Sequence, residues 1–321
     1  MVKVAVLDDW QGIARTSADW SALAAKTDLS FFADAFDSED AAANALADFD
    51  ILLTMRERTP FPASLINRLP KLRMIGITGA RNASLDVTAC KARGIVVSHT
   101  ESSGPGGSAT AELALGLLID CARGVTVGDA TIRAGGFQRG VPVGQTLAGK
   151  TLGIIGLGRL GQMMAGYGQA LGMKVIAWSQ NLTPIAASQA GYDYAKKDDL
   201  LAKADAVSLH LVLSDRTRGI IGAKDLARMK PGAILINTSR AGLVDEQALQ
   251  AALREGRIHA GLDVFTDEPL GADDAWRTMP NTVLTPHIGY GVAETWADFY
   301  PQSVENALAF LGGAPIRVIS G

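Results

Sequence analysis

Short apolar runs rich in Val and Ile recur along the chain, with helical segments between them. The first series is "VKVAVLD", "DILLTM", "LRMIGIT" and "GIVVSH", and the second is "TLGIIG", "KVIAWS", "AVSLHL", "AILINTS", "GLDVF" and "TVLTP". Strands that are buried on both faces of a parallel sheet have this composition, and the helices between them supply the crossover connections. The pattern therefore predicts an α/β fold built on parallel sheets.

The two series are separated by "ESSGPGGSAT", residues 101–110. A cluster of Gly, Pro and Ser predicts a break in regular structure. The chain has 321 residues, and single cores stop growing near about 250–300 residues. We therefore expect two α/β domains joined at this break. A helix candidate at residues 292–311 follows the last strand, and its return to the first domain would make that domain discontinuous.

Composition limits the classes of partner. A net charge of −3 gives no general attraction to nucleic acid or anionic lipid. The longest apolar stretch, "AELALGLLIDCARG", is interrupted by Glu112 and Asp120 and is shorter than the roughly 20 apolar residues of a spanning helix. The chain opens on a strand pattern without a secretory leader and holds only Cys90 and Cys121. We expect a cytoplasmic protein with no nucleic-acid partner, membrane partner or metal.

A glycine-rich turn follows the first strand of the second series. "TLGIIG" continues into "GLGRLG", which places Gly156, Gly158 and Gly161 in a G-x-G-x-x-G pattern before a helix candidate. Glycines at these positions allow a tight turn, close approach of backbone N–H groups to a diphosphate, and close packing of helix on sheet. The turn predicts dinucleotide binding, with Leu160 in the site. Arg159 either contacts a phosphate or stays solvated.

The strand "KVIAWS" ends on a serine, Ser179. An Asp or Glu about 20 residues beyond the glycine turn usually accepts hydrogen bonds from the ribose hydroxyls of NAD. Ser179, Gln180 and Asn181 instead offer neutral groups that do not repel a 2′-phosphate, although the arginine that usually binds such a phosphate is missing. The cofactor is therefore predicted to be NAD or NADP, with a slight preference for accepting NADP.

Catalytic candidates follow the second series of strands. Among four histidines, His287 in "VLTPHIGYG" lies beyond a strand end, as does His210, whereas His259 precedes the "GLDVF" strand. Ligands of open α/β sheets bind outside the carboxyl ends of the strands. Arg240 in "INTSRAG" and Glu268 in "LDVFTDEP" also follow strands. An Arg–Glu surface pair with an unrelated histidine is the alternative to a catalytic group.

Arg, Glu and His together are suited to reducing a 2-oxo acid. Arg240 would bind the substrate carboxylate and polarise the carbonyl through its guanidinium fork. His287 would donate a proton to the carbonyl oxygen, and Glu268 would stabilise the imidazolium. The hydride would come from a nicotinamide cofactor.

The ordered motifs resemble those of the D-isomer-specific 2-hydroxyacid dehydrogenases. The resemblance runs from "LRMIGITGARNASLDVTACKARGIVV" through "GKTLGIIGLGRLG" and "MKPGAILINTSRAGLVDEQAL" to "DVFTDEP" and "TPHIGYG". It implies that Arg240, Glu268 and His287 are catalytic, and that Asp263 contacts the nicotinamide carboxamide. It also implies substrate contacts from Gly79, Ala80 and Arg81, and a cofactor site that includes Thr110 and Thr238.

The resemblance also implies two Rossmann-like domains, with the cofactor domain inserted into the substrate domain. We expect a flavodoxin-like substrate domain at residues 1–103 and 291–321, and a dinucleotide-binding domain at residues 104–290. The helical stretch 108–135 either packs within the chain or forms a subunit interface. Members of the family are usually dimers through these helices, so the resemblance favours a homodimer.

Departures from the family pattern concern the cofactor and the substrate. His210, Leu211 and Val212 stand where "H-x-P" is often found, and Ser179 replaces the common aspartate. No residue follows 321, so we expect no regulatory domain. Arg56 resembles an arginine that helps to bind the phosphate of 3-phosphoglycerate; it and Arg58 otherwise remain solvated loop arginines.

Two functions are consistent with these motifs. One is a dehydrogenase that interconverts a 2-oxo acid and its D-2-hydroxy acid, with a substrate of the glyoxylate, hydroxypyruvate or 3-phosphoglycerate type. The alternative is a regulatory protein that senses NAD(H) with the same fold and little or no turnover, like the related corepressors.

Overall fold

The computed structural model describes residues 1–101 and 105–319. In these ranges the strands form two sheets whose paired strands are all parallel. The strands are β1 Val2–Val6, β2 Thr27–Phe31, β3 Ile51–Thr54, β4 Met74–Ile77, β5 Val96–His99, β6 Thr151–Ile155, β7 Lys174–Trp178, β8 Asp193–Tyr194, β9 Ala206–Leu209, β10 Ala233–Asn237, β11 Ile258–Leu262 and β12 Thr282–Leu284. The predicted α/β class with parallel sheets is confirmed.

Helices connect most of the strands, as parallel pairing requires. The α-helices are α1 Ser21–Ala24, α2 Glu39–Leu46, α3 Ala63–Ile66, α4 Val87–Ala92, α5 Ala109–Arg123, α6 Val125–Arg133, α7 Arg159–Ala170, α8 Pro184–Gln189, α9 Lys197–Lys203, α10 Ala223–Arg228, α11 Glu246–Arg254 and α12 Ala293–Leu311. Short 3-10 turns lie at Ala14–Thr16, Pro105–Ser108, Ala241–Leu243 and Ala275–Thr278. In the described ranges no helix combines the length and the apolar character needed to cross a membrane.

The chain divides into two compact units. Unit 1 comprises Met1–Gly107 and Gly291–Gly321, and unit 2 comprises Ser108–Tyr290. The predicted limit between residues 103 and 104 lies outside the described residues, so the domain limits given above stay a prediction. Each sheet belongs to one unit.

The sheet of unit 1 has the strand order β2-β1-β3-β4-β5, which is the flavodoxin-like order. Leu52 of β3 and Ile75 of β4 are partners in the strand register and belong to one buried cluster with apolar residues of α2, α3 and α4. The segment after α12 runs along β5, where Ile319 N–H donates to the carbonyl of Val97 over 2.9 Å. The side chain of Asn306 on α12 donates to the carbonyl of His99 over 2.9 Å. These bonds tie the end of the chain to the sheet of its first segment.

The sheet of unit 2 has the order β8-β7-β6-β9-β10-β11-β12. This is the Rossmann order, whose switch point lies between β6 and β9. Ile154 and Ile236 point to the face covered by α5 and α7, whereas Ile155 and Leu235 point to the face covered by α9, α10 and α11. Burial of both faces explains the continuous apolar runs in the sequence.

Three local features differ from the expected pattern. β11 is Ile258–Leu262, so His259 lies inside this strand instead of preceding it. The stretch 108–135 forms two helices, because Gly124 with a φ of 63° ends α5 and begins α6. The edge strand β2, "TDLSF", was not expected, since Asp28 and Ser30 interrupt its apolar pattern.

Asp8, just beyond β1, is a carboxyl that is only 1% exposed. Its Oδ1 accepts a hydrogen bond from the Thr59 hydroxyl over 2.8 Å, and its Oδ2 accepts one from the Thr59 N–H over 3.2 Å. Burial raises the pKa of Asp8 to about 6, although the bonds from Thr59 and the charge of Arg58 act in the opposite direction. The folded chain therefore favours the protonated carboxyl more than the unfolded chain does.

We expect Asp8→Asn to stabilise the protein more at pH 7 than at pH 4. The folded-state pKa is raised from 3.8 to about 6, so the parent loses stability as pH rises through that window, by on the order of 3 kcal/mol. Asparagine does not titrate there, and it tolerates the left-handed φ of 59° at this position. Urea unfolding at several pH values measures the difference in free energy of unfolding. The exposed change Asp34→Asn is the control, and a difference between Asp8→Asn and parent that stays constant with pH would contradict the assignment.

Candidate active site

The carboxyl ends of β10, β11 and β12 lie at one edge of the unit 2 sheet, because these strands pair in parallel. Arg240 follows β10, Asp263 follows β11 directly, and His287 follows β12. Glu268 lies farther along the segment after β11. The residues that follow strand ends in the sequence are thus collected at the edge where open α/β sheets bind ligands.

Glu268 and His287 form a close pair. Oε2 of Glu268 lies 2.5 Å from Nδ1 of His287, and both side chains are 21% exposed. The other oxygen, Oε1, accepts a hydrogen bond from the Phe265 N–H over 2.8 Å. An ionised carboxylate only accepts, so Nδ1 carries the proton in this pair. Nε2 is then the ring atom left to exchange a proton with a substrate.

The backbone of His287 is in the left-handed region, with a φ of 52°. A histidine in this region is uncommon and is maintained by its surroundings. Here the His287 N–H donates to the carbonyl of Thr285 over 3.0 Å. The ring of Tyr290 stands edge-on to the imidazole with centroids 5.8 Å apart. The turn therefore presents the ring in one orientation.

Asp263 is fully buried and anchors the turn that carries His287. Its Oδ1 accepts from the Thr285 hydroxyl over 2.7 Å and from the Ile288 N–H over 2.8 Å, and its Oδ2 accepts from the Gly289 N–H over 2.8 Å. Burial raises the pKa of Asp263, and these bonds together with the charge of His287 act against the rise. Its predicted contact with a nicotinamide carboxamide stays a prediction.

Arg240 is half-buried at the start of the turn Ala241–Leu243. The side chain of Asn237 donates to the carbonyl of Arg240 over 2.9 Å and accepts from the Ser239 N–H over 3.0 Å. The Ser239 hydroxyl donates to the carbonyl of Leu209 over 2.7 Å, which links this turn to β9. The guanidinium Nη1 donates to the carbonyl of Ser239 over 2.7 Å. The backbone beneath the guanidinium is therefore fixed.

The glycine turn fits a diphosphate. A Cβ at Gly161 would lie 2.0 Å from the carbonyl oxygen of Gly156, and one at Gly156, where φ is 103°, would lie 2.5 Å from the carbonyl oxygen of His210. A Cβ at Gly158 would meet no atom within 4 Å. No side chain caps the start of α7 at Gly158, so its N–H groups can bind an anion. Arg159 is exposed and Leu160 half-buried on the first turn of α7.

Ser179 contacts this turn directly. The Leu157 N–H donates to Oγ of Ser179 over 2.9 Å. Gln180 and Asn181, the next two residues, are exposed. The stretch after β7 therefore lies beside the glycine turn, as the dinucleotide-binding pattern predicts.

Two threonines assigned to the cofactor site have different surroundings. The Thr110 hydroxyl donates to the carbonyl of Gly289 over 2.9 Å, which ties α5 to the turn after His287. Thr238 is 5% exposed, and within the described chain its buried Oγ1 has no hydrogen-bond partner. A buried hydroxyl of this kind is suited to a bound ligand.

Besides Arg240, the residues assigned to the substrate lie in unit 1. Arg56 has a φ of 51°, and its N–H donates to the Thr78 hydroxyl over 2.8 Å. A Cβ at Gly79, where φ is 81°, would lie 2.0 Å from Nη1 of Arg56, so glycine is what allows the guanidinium to lie there. Ala80 and Arg81 are exposed beyond β4.

Several residues that shape the site were not predicted from the sequence. Thr285 and Tyr290 hold the His287 turn, and Asn237 holds the Arg240 turn. Each lies at or near the carboxyl end of a predicted strand, so the position was a usable signal. Their hydrogen-bond partners lie far away in the sequence, so no sequence signal indicated those contacts. His210, also at this edge, has a pKa lowered to about 4 by burial, which leaves its ring neutral.

The chain matches a family model. Residues 115–289 match the D-isomer specific 2-hydroxyacid dehydrogenase, NAD binding domain. These residues contain the glycine turn, Arg240, Asp263, Glu268 and His287. The match lies entirely within unit 2.

Similar proteins come from several organisms. The chain is 39% identical over 251 residues to a D-3-phosphoglycerate dehydrogenase of Mycobacterium leprae, covering 78% of this chain but only 47% of that protein, so it spans about half the length of that relative. It is 39% identical to a glyoxylate reductase of Thermococcus litoralis, covering 78% of this chain and 77% of that one. A crystal structure of phosphoglycerate oxidoreductase from Vibrio cholerae O395 superposes with a TM-score of 0.91 at 34% identity, covering 98% of this chain and 100% of that one. The chain belongs to the D-isomer-specific 2-hydroxyacid dehydrogenase family.

Proposed function

We propose that the protein is an NAD(P)-dependent oxidoreductase that interconverts a 2-oxo acid and the corresponding D-2-hydroxy acid. The observation that carries this proposal is the pair of Glu268 and His287, 2.5 Å apart, at the sheet edge that also bears Arg240. The relatives named a D-3-phosphoglycerate dehydrogenase and a glyoxylate reductase support the same chemistry. Family membership supports the hydroxyacid class of substrate.

The side chains divide the work between binding and proton transfer. Arg240 binds the substrate carboxylate with its planar fork and polarises the neighbouring carbonyl. His287 holds a proton on Nε2 and gives it to the carbonyl oxygen, while Glu268 stabilises the imidazolium through Nδ1. When bound, a reduced nicotinamide dinucleotide supplies the hydride. In the oxidative direction His287 takes the proton from the substrate hydroxyl.

The cofactor is assigned to unit 2. Gly156, Gly158 and Gly161, with Arg159 and Leu160, would hold the diphosphate at the start of α7. Thr110, Thr238 and Asp263 would hold the nicotinamide end. The orphaned hydroxyl of Thr238 and the open space above Gly158 support this assignment.

We also propose that residues of unit 1 contact the substrate. Gly79, Ala80 and Arg81 would contact its carboxylate, and Arg56 a second polar or anionic end. Support comes from the carboxyl-end location of these residues on β3 and β4. The names of the relatives support substrates of the glyoxylate, hydroxypyruvate or 3-phosphoglycerate type.

The proposed reaction is tested first with a substrate panel and His287 variants. We expect the parent to oxidise NADH or NADPH with glyoxylate, hydroxypyruvate or a larger 2-oxo acid. His287→Ala should lower kcat by roughly 10²–10⁴, the usual contribution of general acid catalysis, while the Kd for cofactor stays within about twofold. His287→Asn should do the same without backbone strain, because asparagine tolerates a left-handed φ.

The matched control is His259→Gln, which changes a half-buried histidine inside β11 and should keep near-parental kcat. Near-parental turnover in both His287 variants would place the proton donor elsewhere. Tight cofactor binding by the parent without turnover on any oxo acid would instead favour a regulatory role.

Acceptance of NADPH is proposed from the surroundings of Ser179. Its Oγ accepts from the Leu157 N–H, so its own hydrogen is free to donate outward. A donor at this position can bind a 2′-phosphate oxygen as well as a ribose hydroxyl. Because the residue is serine and not an acid, its side chain does not repel the phosphate. Use of both NADH and NADPH follows.

We expect Ser179→Asp to lower the ratio of kcat/KM for NADPH to that for NADH by at least about tenfold, since a charge repulsion of ~1.4 kcal/mol is sufficient. The ratio is measured with one oxo acid at saturating concentration. Ser188→Asp, which adds the same charge at an exposed position of α8, should leave the ratio unchanged. An unchanged ratio in Ser179→Asp would show that this residue does not contact the ribose.

A homodimer through residues 108–135 is proposed from the exposed apolar side chains of α6. None of its residues is buried, and Val125, Val127 and Ile132 are 57%, 43% and 54% exposed. Phe137, shortly after the helix, is 74% exposed. Several large apolar side chains exposed within one short segment support an interaction surface there.

We expect Ile132→Glu to shift the protein from dimer to monomer, because a charge replaces apolar contact at the centre of the proposed interface. Light scattering coupled to size-exclusion chromatography at several concentrations measures the molar mass. Ile185→Glu, at a 71% exposed position on α8, should remain dimeric. A parent that is already monomeric would contradict the proposed assembly.

A further inference from the structure

A cluster centred on Glu246 lies behind the catalytic pair. Glu246 is the first residue of α11, and its Oε1 accepts a hydrogen bond from the indole N–H of Trp276 over 2.9 Å. Its Oε2 accepts a hydrogen bond from the Thr266 hydroxyl. Trp276 is 4% exposed and lies in the turn Ala275–Thr278. One carboxylate thus joins α11, this turn and the segment after β11.

The segment that Glu246 holds is the one that orients Glu268. Thr266 is adjacent to Phe265, whose N–H donates to Oε1 of Glu268. The ring of Phe265 also packs against Trp276, with centroids 6.1 Å apart. Each oxygen of Glu268 therefore has its own partner in the site, since Oε1 is held by this segment and Oε2 faces His287. The geometry of the pair depends on where residues 265 and 266 lie.

Packing alone does not fix this segment. A cavity of about 20 Å³ lies against it, and Asn237, Glu246, Phe265, Thr266 and Trp276 are among its lining residues. A space of this size holds about one water molecule and provides no close van der Waals contact across it. The segment has room to shift inward if its polar contacts are lost. The hydrogen bonds to Glu246 therefore act together with the packing of Phe265 on Trp276 to keep it in position.

We propose that Glu246 is a positioning residue that holds residues 265 and 266 so that Glu268 faces His287. This inference rests on the proposed function for its kinetic consequence, but not for its structural one. Glu246 accepts hydrogen bonds from the Thr266 hydroxyl and from Trp276. It acts on Glu268 and His287 through these two residues. Its effect on turnover is therefore indirect.

The kinetic consequence follows from the pair. A displacement near 1 Å can cost up to about 10²-fold in rate, and loss of the carboxylate beside the ring destabilises the imidazolium. We expect Glu246→Ala to lower kcat for oxo acid reduction about tenfold, while KM and the Kd for cofactor change less than twofold.

Conservative variants separate positioning from stability. Glu246→Gln keeps an oxygen for Trp276 and an amide that can donate to the Thr266 oxygen, so it should restore most of kcat. Thr266→Val removes one hydrogen bond at an exposed position and should lower kcat in the same direction without affecting folding. Glu255→Gln, an exposed carboxylate at the other end of α11, is the matched control and should behave like the parent.

A structural measurement tests the inference without substrate. In Glu246→Ala and Thr266→Val the Phe265 amide should exchange its hydrogen at least about tenfold faster than in the parent, and the imidazole resonances of His287 should shift. Glu255→Gln should change neither. Unchanged exchange at Phe265 together with an unchanged His287 spectrum in Thr266→Val would overturn the inference. If the parent reduces no oxo acid, the proposed function fails, yet this exchange experiment still decides whether Glu246 positions Glu268.

Discussion

The buried carboxylate of Asp263 makes the hydrogen bonds on which the candidate active site depends. It accepts three hydrogen bonds from the segment that follows β12, and two of them come from the backbone N–H groups of Ile288 and Gly289. Burial of a carboxylate is costly unless it is paired with donors, so this segment has one arrangement in which all three bonds form. A Cβ at Gly289 would lie 2.9 Å from Oδ2, which explains why glycine is needed there. The left-handed backbone of His287 is a consequence of this anchoring.

The Glu268–His287 pair is held by two separate sets of hydrogen bonds. His287 is placed by the Asp263 network at the end of β12, whereas Glu268 is placed by the Phe265 N–H on the segment after β11. Parallel pairing of β11 with β12 brings both segments to the same edge. Neither support includes the other residue of the pair, so the 2.5 Å separation between their side chains requires both segments to be held. A site of this kind needs its side chains held in a fixed geometry, which the rigid sheet and the hydrogen-bonded segments after its strands provide.

The sequence was informative where local chemistry is repetitive. Apolar runs predicted the strands that are buried on both faces, and the glycine turn predicted the start of α7, because each depends on residues that are close in the chain. The edge strand β2 was missed, since Asp28 and Ser30 are tolerated where one side of a strand is unpaired. β11 begins at Ile258, earlier than expected. The later start was expected because Arg257 and His259 interrupt the apolar run. Gly124 divides a helical pattern that periodicity alone could not divide.

Contacts between distant segments were not predictable in the same way. The location of Arg240, Glu268 and His287 after strand ends followed from the strand pattern, but the bonds of Asp263 to Gly289 and of Glu246 to Trp276 join segments far apart in the chain. Glu246 also had an adequate local explanation, because an acid in the first turn of a helix is favoured by the helix dipole. Glu246 therefore stabilises the start of α11 and also holds the segment after β11. Only the three-dimensional structure separates these two roles. When a residue already has a sufficient local role, its contact with a distant segment gives no separate signal in the sequence. The residues that hold a site in place are therefore harder to infer from sequence than the residues that form it.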